Sequence, residues 1–291
     1  MLCALKDTNL GLWKWVIMEM FQTSLLAMLV SLAGSRVTFG QHGLRASQGK
    51  EISFEEYLVA PVRIHLLCAK DQGAIQTTLL ETDITRILGK LNGVWSQAGL
   101  HFYLESILFE EASHQETDRG LSTGVELTEL LELRPVTSRA TNMFHIYYLK
   151  RMAVNGIFFP EAIFVKDTAS LRKVSGGLDE PLPRVSSHEL GHALGLPHRQ
   201  DTTNLMASGT TGFFLSEEEI KRVRAFASQL DWIESAPEVM KRANRLHNAS
   251  RMKEAKALYA RLARIPARDD RVELANRRAM RVPFVRSPKE Q

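Results

Sequence analysis

The sequence predicts an α+β fold that is followed by a C-terminal helical extension. Residues 61–69 alternate apolar and polar side chains, a period of two that is typical of a strand. Residues 79–98 repeat apolar side chains at spacings of three and four, which indicates an amphipathic helix. Beyond Pro237 the chain is basic and its apolar residues again follow helical spacing. The 291 residues suffice for one sizeable domain with an appendage.

The first part of the chain predicts four strands and two helices before residue 170. Gly99 ends the helix that follows the first strand, and further strands are predicted at 101–111, 143–149 and 162–165. The strand at 143–149 is apolar enough for the interior of a sheet. A short helix is expected at 126–133. The predicted buried face of the long helix consists of Leu79, Leu80, Ile84, Ile87, Leu88, Leu91 and Trp95.

The most specific pattern lies in residues 188–198, which read His-Glu-Leu-Gly-His-Ala-Leu-Gly-Leu-Pro-His. His188 and His192 are four positions apart, so on a helix their side chains lie about 40° from each other on one face. Both imidazoles can therefore reach one Zn²⁺ ion at ~2.0–2.1 Å. The spacing predicts two ligands of a single zinc ion on one helix.

His198 is the candidate third ligand, but a continuous helix would carry it away from the metal. Six residues after His192 it would lie roughly 240° around the helix axis. Gly195 can adopt the left-handed conformation that ends a helix, and Pro197 prevents the helix from resuming. The sequence therefore predicts a turn at Gly195 that brings His198 back to the metal.

Glu189 directly follows the first ligand and is placed to take a proton from water at the metal. Three protein ligands leave a fourth position open, which distinguishes a catalytic zinc ion from a closed structural one. Glu189 is therefore the candidate general base. The other six histidines show no ligand spacing and are interpreted as structural.

The motif resembles that of the metzincins, a clan of zinc metallopeptidases. Met206, within Asn-Leu-Met-Ala-Ser-Gly at 204–209, resembles the clan's Met-turn beneath the metal. The resemblance implies a twisted, mostly parallel sheet over long helices, with a catalytic domain at 61–235 that ends on a helix capped by Ser216. Arg199 does not indicate a subfamily. Some members have a tyrosine two positions after the methionine, where this chain has Ser208, so no residue is available for that role.

The N-terminal residues 1–35 are predicted to be a signal peptide. An apolar stretch at 24–33 is followed by Ala33-Gly34-Ser35, small residues of the kind that signal peptidase accepts. The stretch could instead be a membrane anchor or a buried helix. Residues 36–60 are expected to be a short linker, too short for a large inhibitory prodomain. The protein is thus expected to be secreted or periplasmic, with a membrane-anchored form as the alternative.

The extension at 236–291 resembles one tetratricopeptide-type helix pair followed by a disordered tail from Arg281. From Lys241 onwards it carries 15 Lys or Arg against 5 Asp or Glu, a balance of +10 in a chain of net charge +4. Such a segment could bind an acidic partner or surface, or be a solvated helical face. Since one repeat cannot bury its apolar face, the pair is expected to pack on the catalytic domain or a partner. No nucleic-acid motif accompanies the charge.

These features together predict a zinc-dependent endopeptidase that acts on protein or peptide substrates. The alternatives are a zinc aminopeptidase or amidase, and a non-catalytic zinc domain whose basic tail binds a partner. The intact Glu189 disfavours the last. The chain has 2 cysteines, and removal of the leader would leave Cys68 alone, so no internal disulfide is expected.

Overall fold

The computed structural model describes residues 52–69, 73–113, 127–136 and 139–279, and its centre is a six-stranded sheet. The strands are β1 (Leu58–Cys68), β2 (Leu100–Glu111), β3 (Phe144–Leu149), β4 (Gly156–Phe159), β5 (Ala162–Lys166) and β6 (Glu234–Ser235). They lie in the order β2-β1-β3-β5-β4, and β6 pairs with the start of β1. The pairs β1–β2, β1–β3 and β3–β5 are parallel, while β4 is antiparallel to β5. The prediction of a mostly parallel sheet with helices is confirmed.

Six helices accompany the strands among the described residues. They are α1 (Glu81–Trp95), α2 (Pro181–Ala193), α3 (Glu217–Ala227), α4 (Ala236–Asn248), α5 (Met252–Leu262) and α6 (Asp270–Ala279). A 3-10 segment, Leu127–Leu133, stands where a short helix was predicted. Gly99 has a φ of 63° and follows the short 3-10 turn that extends α1.

One face of the sheet and helices α1 and α2 share the largest core. The alternation of β1 directs Val62, Ile64 and Leu66 into this core, together with Trp95 of α1 and Leu190 of α2. Most of the predicted apolar face of α1 is buried, but Leu80 is 61% exposed. The assignment of Leu80 to the buried face was wrong because Leu80 is the N-cap residue, whose extended backbone lies outside the helical periodicity.

The opposite face of the sheet is covered in two separate places. Leu67, Tyr147 and Phe164 pack with Leu130 and Leu133 of the 3-10 segment. The start of β1 instead packs with the C-terminal helices. Cys68, the last residue of β1, is a free and partly buried cysteine.

The C-terminal helices belong to a core that they share with residues near the start of β1. This core joins Phe54, Tyr57 and Val59 to buried residues of all three helices, namely Ala236, Val239, Met240, Ala243, Ala255, Leu258, Tyr259, Leu262, Val272 and Ala275. The helix pair predicted from the sequence corresponds to α4 and α5, whereas α6 was not predicted. The end of the segment expected to be a linker contains the 3-10 turn Phe54–Glu56 and the first residues of β1, which begins at Leu58.

Several sequence-based assignments lie outside the described residues. These are the signal peptide or anchor at 1–35, most of the linker at 36–60, and the disordered tail from Arg281. Within the part of the chain that the structure describes, no helix combines the length and apolarity needed to cross a membrane.

Candidate metal centre

Helix α2 carries the first two histidines on a rigid and fully buried segment. Pro181 occupies the start of the helix, where its missing N–H removes no hydrogen bond and its fixed φ suits the helix. Every residue from Leu182 to Ala193 is buried, so the helix is held by its surroundings along its whole length. The side chains of His188 and His192 are consequently placed with little freedom.

The chain reverses direction at Gly195, which has a φ of 83°. The N–H of Leu196 donates to the carbonyl of Gly191, and the N–H of Gly195 donates to the carbonyl of His192, both at 2.9 Å. These two bonds form a Schellman motif, which satisfies the last carbonyl groups of the helix. The turn brings His198 to the other two histidines, as the motif's spacing requires.

The three imidazoles converge through their Nε2 atoms. Nε2 of His192 lies 3.2 Å from Nε2 of His188 and 3.2 Å from Nε2 of His198. Nδ1 of His188 is 2.8 Å from the carbonyl oxygen of Leu205, and Nδ1 of His192 is 2.8 Å from that of Leu196. A carbonyl can only accept, so in both rings Nδ1 carries the proton and Nε2 presents a lone pair.

The surroundings keep all three imidazoles neutral. Burial lowers the pKa of His192 to about 4 and that of His188 well below the ordinary value of 6.5. The pKa of His198 is also lowered, by burial and then by the Arg184 guanidinium. Neutral imidazoles are the form that binds metal.

The donor set fits a zinc ion. Two ligands of a tetrahedral zinc ion, each bonded at about 2.0–2.1 Å, lie about 3.3 Å apart, close to the observed separations. Backbone carbonyls that fix the tautomer of a ligating histidine are the usual outer partners in such sites. His188, His192 and His198 are the only group of three or more potential ligands among the described residues.

The side chain of Glu189, the residue after the first histidine, lies in a confined and buried position. A Cβ atom added to Gly156 on strand β4 would come within 2.6 Å of its Oε1 atom and 2.9 Å of its Cγ atom. Gly156 therefore leaves the room that the carboxyl group occupies. Burial raises the pKa of Glu189 to about 8, and the positive charge of Arg184 opposes this rise.

Met206 forms a fully buried floor against helix α2. A Cβ atom added to Gly191 would come within 2.5 Å of its Sδ atom, so the sulfur packs against the backbone of the residue before His192. The backbone N–H of Met206 donates to Oδ1 of Asn204 at 2.6 Å, and its carbonyl accepts from the N–H of Arg199 at 2.9 Å. The segment that carries Met206 is thus bonded to the residue that follows His198.

Several residues that support the site were not identified from the sequence. Arg184 is buried on α2, one turn before His188, and its guanidinium donates to the carbonyls of Ala207 and Gly212. The sequence signal that could have identified Arg184 is its place four residues before His188, on the same side of the helix as the ligand. Gly156 gave no such signal, because its role depends on contact with a helix about thirty residues later.

Two of the remaining histidines form a separate polar cluster on the sheet. Nε2 of His65 lies 2.9 Å from Nδ1 of His145, and Nδ1 of His65 lies 2.6 Å from a carboxylate oxygen of Glu110. The ring of Tyr147 stacks on His65 with 4.0 Å between centroids. These residues are not among those that converge at the metal centre.

The chain shows distant similarity to known structures. No family model and no curated protein matches the chain. It is similar to metalloproteinase-II from Bacteroides fragilis at 14% identity and a TM-score of 0.34, covering 61% of this chain and 56% of that one. It is also similar to a zinc-dependent peptidase from Methanocorpusculum labreanum (strain Z) at 11% identity and a TM-score of 0.28, covering 57% of this chain and 98% of that one. The chain thus spans little more than half of the first structure.

Proposed function

We propose that the protein is a metzincin-type zinc endopeptidase in which His188, His192 and His198 hold one zinc ion. The observation that carries this proposal is the convergence of the Nε2 atoms of three neutral imidazoles, the first of which is followed in the chain by the buried Glu189. A zinc ion, when bound, acts as a Lewis acid that polarises a carbonyl group and lowers the pKa of water. Three protein ligands leave room for such chemistry at the fourth position.

Glu189 is the proposed general base and acid. It is the carboxyl group of the motif, it directly follows the first ligand, and it is buried among the residues of helix α2. The carboxylate takes a proton from the attacking water and later donates it to the nitrogen of the departing amine. Confinement against Gly156 holds the group in the orientation from which it acts.

The position of strand β4 favours cleavage within a chain over removal of a terminal residue. Strand β4 ends the sheet and pairs only with β5 among the described strands. Its first residue, Gly156, borders Glu189, so the strand that ends the sheet also borders the proposed base. An extended peptide could add to this edge through backbone hydrogen bonds that do not require a free terminus.

A peptide library with blocked and free termini tests the proposal. The full-length protein should cleave peptides that are acetylated at the N-terminus and amidated at the C-terminus, and a chelator should abolish the cleavage. Glu189→Gln should retain zinc and lose turnover by orders of magnitude, because the base is not a ligand. The exposed Glu217→Gln is the matched control and should cleave normally.

The other outcomes identify the alternative functions. Cleavage of free but not of blocked N-termini would indicate an aminopeptidase. Stoichiometric zinc with no hydrolysis of any peptide would support a binding domain without catalysis. Retention of zinc by His198→Ala at wild-type affinity would contradict the three-histidine assignment.

A further inference from the structure

The third ligand is held differently from the other two. His188 and His192 lie on a buried helix, and each donates its Nδ1 proton to a backbone carbonyl. His198 is exposed, and no described residue offers its Nδ1 atom a hydrogen-bond acceptor. The position of its ring therefore depends on the backbone that carries it.

Arg199, the next residue, fixes that backbone at two points. Its N–H donates to the carbonyl of Met206 at 2.9 Å, which joins the loop of the third ligand to the Met-turn. Its side-chain Nε atom donates to Oε1 of Glu219 at 2.9 Å. Glu219 lies in the first turn of helix α3, a different part of the chain from the metal motif.

The second oxygen of Glu219 reaches the Met-turn itself. Oε2 accepts from Nδ2 of Asn204 at 2.8 Å and from the backbone N–H of Ser216, also at 2.8 Å. Asn204 in turn accepts from the N–H of Met206 at 2.6 Å. One carboxylate thus connects the loop after His198 with the segment that carries Met206.

The burial of this carboxylate fixes the positions of the groups that donate to it. Glu219 is 1% exposed, and its two oxygens face three donors. A buried anion is stable in a fold only when such donors compensate the loss of water, so the donors and the carboxylate determine each other's positions. In Glu219→Gln an NH2 group replaces one carboxylate oxygen. At least one of the three donors would then face another donor and lose its hydrogen bond.

We propose that Glu219 is a positioning residue for the metal centre, which holds His198 through Arg199 and Met206 through Asn204. This inference rests on the proposed function, since it assumes that the three histidines bind zinc. It adds a residue from helix α3 to a site that the motif confines to residues 188–206. The role is exerted through other residues, because Glu219 contacts none of the three ligands.

The test compares Glu219→Gln with Glu217→Gln in the full-length protein. Both changes remove one negative charge from the first turn of the same helix, but Glu217 is exposed. Zinc affinity is measured with zinc alone by competition against a chelator, and the coordination geometry by the visible absorption of the cobalt-substituted protein. Glu219→Gln should bind zinc several-fold more weakly and alter the cobalt spectrum, a smaller loss than the roughly 10–100-fold that follows removal of a direct partner of a ligand. Glu217→Gln should match the wild type in both.

A purely structural role would give a different result. The melting temperature of Glu219→Gln would fall, while its folded fraction kept the zinc affinity and cobalt spectrum of the control. That outcome would overturn the proposal.

Arg199→Gln keeps the proposal testable if Glu219→Gln does not fold. The side chain of Arg199 is 40% exposed, and its removal breaks the bond to Glu219 and a 4.0 Å ion pair with the exposed Glu218. The bonds that Asn204 and Ser216 donate to Glu219 do not involve this side chain. We expect weaker zinc binding than in Arg222→Gln, an exposed control on the same helix as Glu219. In the double variant Glu219→Gln/Arg199→Gln, the two losses should not add, because both remove the same contact. Fully additive losses, or unchanged affinity in Arg199→Gln, would overturn the proposal.

The wild-type measurement separates this inference from the proposed function. A wild-type protein that binds no zinc would remove the basis of both. If the wild type binds zinc and all the variants bind it with the same affinity, only the role of Glu219 is overturned.

Discussion

Substitution of Gly156 tests how closely strand β4 confines the proposed base. In Gly156→Ala the new Cβ atom would lie 2.6 Å from Oε1 and 2.9 Å from Cγ of Glu189, and 2.5 Å from Cγ1 of Val185. Ordinary contact begins near 3.4 Å, so the carboxylate must withdraw by about 0.8 Å. A displacement of about 1 Å at a reacting group can cost about 100-fold in rate. We expect a loss of this order in kcat/KM for Gly156→Ala.

Zinc binding should be almost unaffected by this change, because Gly156 contacts the base and not the ligands. Overpacking of this kind costs about 1–3 kcal/mol of stability, so the melting temperature should also fall. The control is Gly93→Ala on helix α1, where no atom lies within 4 Å of an added Cβ. Alanine is favoured over glycine inside a helix by roughly 0.5–1 kcal/mol, so this control should be slightly more stable and fully active.

The assay is hydrolysis of a blocked peptide by zinc-loaded protein, with metal analysis of the same samples. If Gly156→Ala retains its zinc and turns over within a few-fold of Gly93→Ala, the confinement of Glu189 by β4 has no catalytic consequence. If it loses zinc together with activity, the strand supports the ligands and not the base.

Three further predictions concern the floor of the site and the C-terminal helices. Met206→Leu nearly conserves volume, so it should lower the free energy of unfolding by less than about 1.5 kcal/mol in thermal melting and leave the zinc content unchanged. Loss of zinc from a folded protein would show that the sulfur does more than fill space. Ending the chain after Trp232 should uncover Phe54, Tyr57 and Val59 and lower the free energy of unfolding by an amount on the order of 5 kcal/mol. The truncated protein should bind a hydrophobic dye, and an unchanged melting temperature would contradict the shared core. Burial lowers the pKa of His101 to about 4, below the ordinary 6.5, so its contribution to stability is complete above pH 6.5 and is lost as the pH falls towards 4. Between pH 7 and 5 the wild type should therefore lose about 2 kcal/mol more than His101→Leu in urea denaturation, and parallel pH profiles would refute this.

The parts of the site that were predictable from the sequence depend on local geometry. The separation of four residues places His188 and His192 on one face of a helix whatever surrounds it. The turn at Gly195 likewise follows from the conformational freedom of glycine and the exclusion of Pro197 from a helix interior. These rules act over a few residues, so the motif contains all the information that they need.

The supporting residues were not predictable, because their roles arise from contacts between distant segments. Glu219 was recognisable as an acidic residue in a capped first turn, but its bonds to Arg199 and Asn204 exist only in the folded chain. Strand β4 has four residues that are all partly buried and show no alternation, since it lies at the edge of the sheet. Helix α6 buries only Val272 and Ala275, too few apolar residues for a clear helical pattern.

The C-terminal helices raise a separate question, because the sequence permitted either packing on the catalytic part or binding of a partner. Their apolar face is already used within the chain, against Phe54, Tyr57 and Val59. Part of their positive charge also forms ion pairs within the chain. Arg271 pairs with Glu55, and Arg242 and Arg261 pair with Glu234. Any acidic partner must therefore be recognised by the remaining exposed side chains, such as Lys241, Arg245 and Lys253. Attraction of that kind is screened beyond about 10 Å at 0.1 M salt, whereas the shared apolar core is not, so salt separates the two roles.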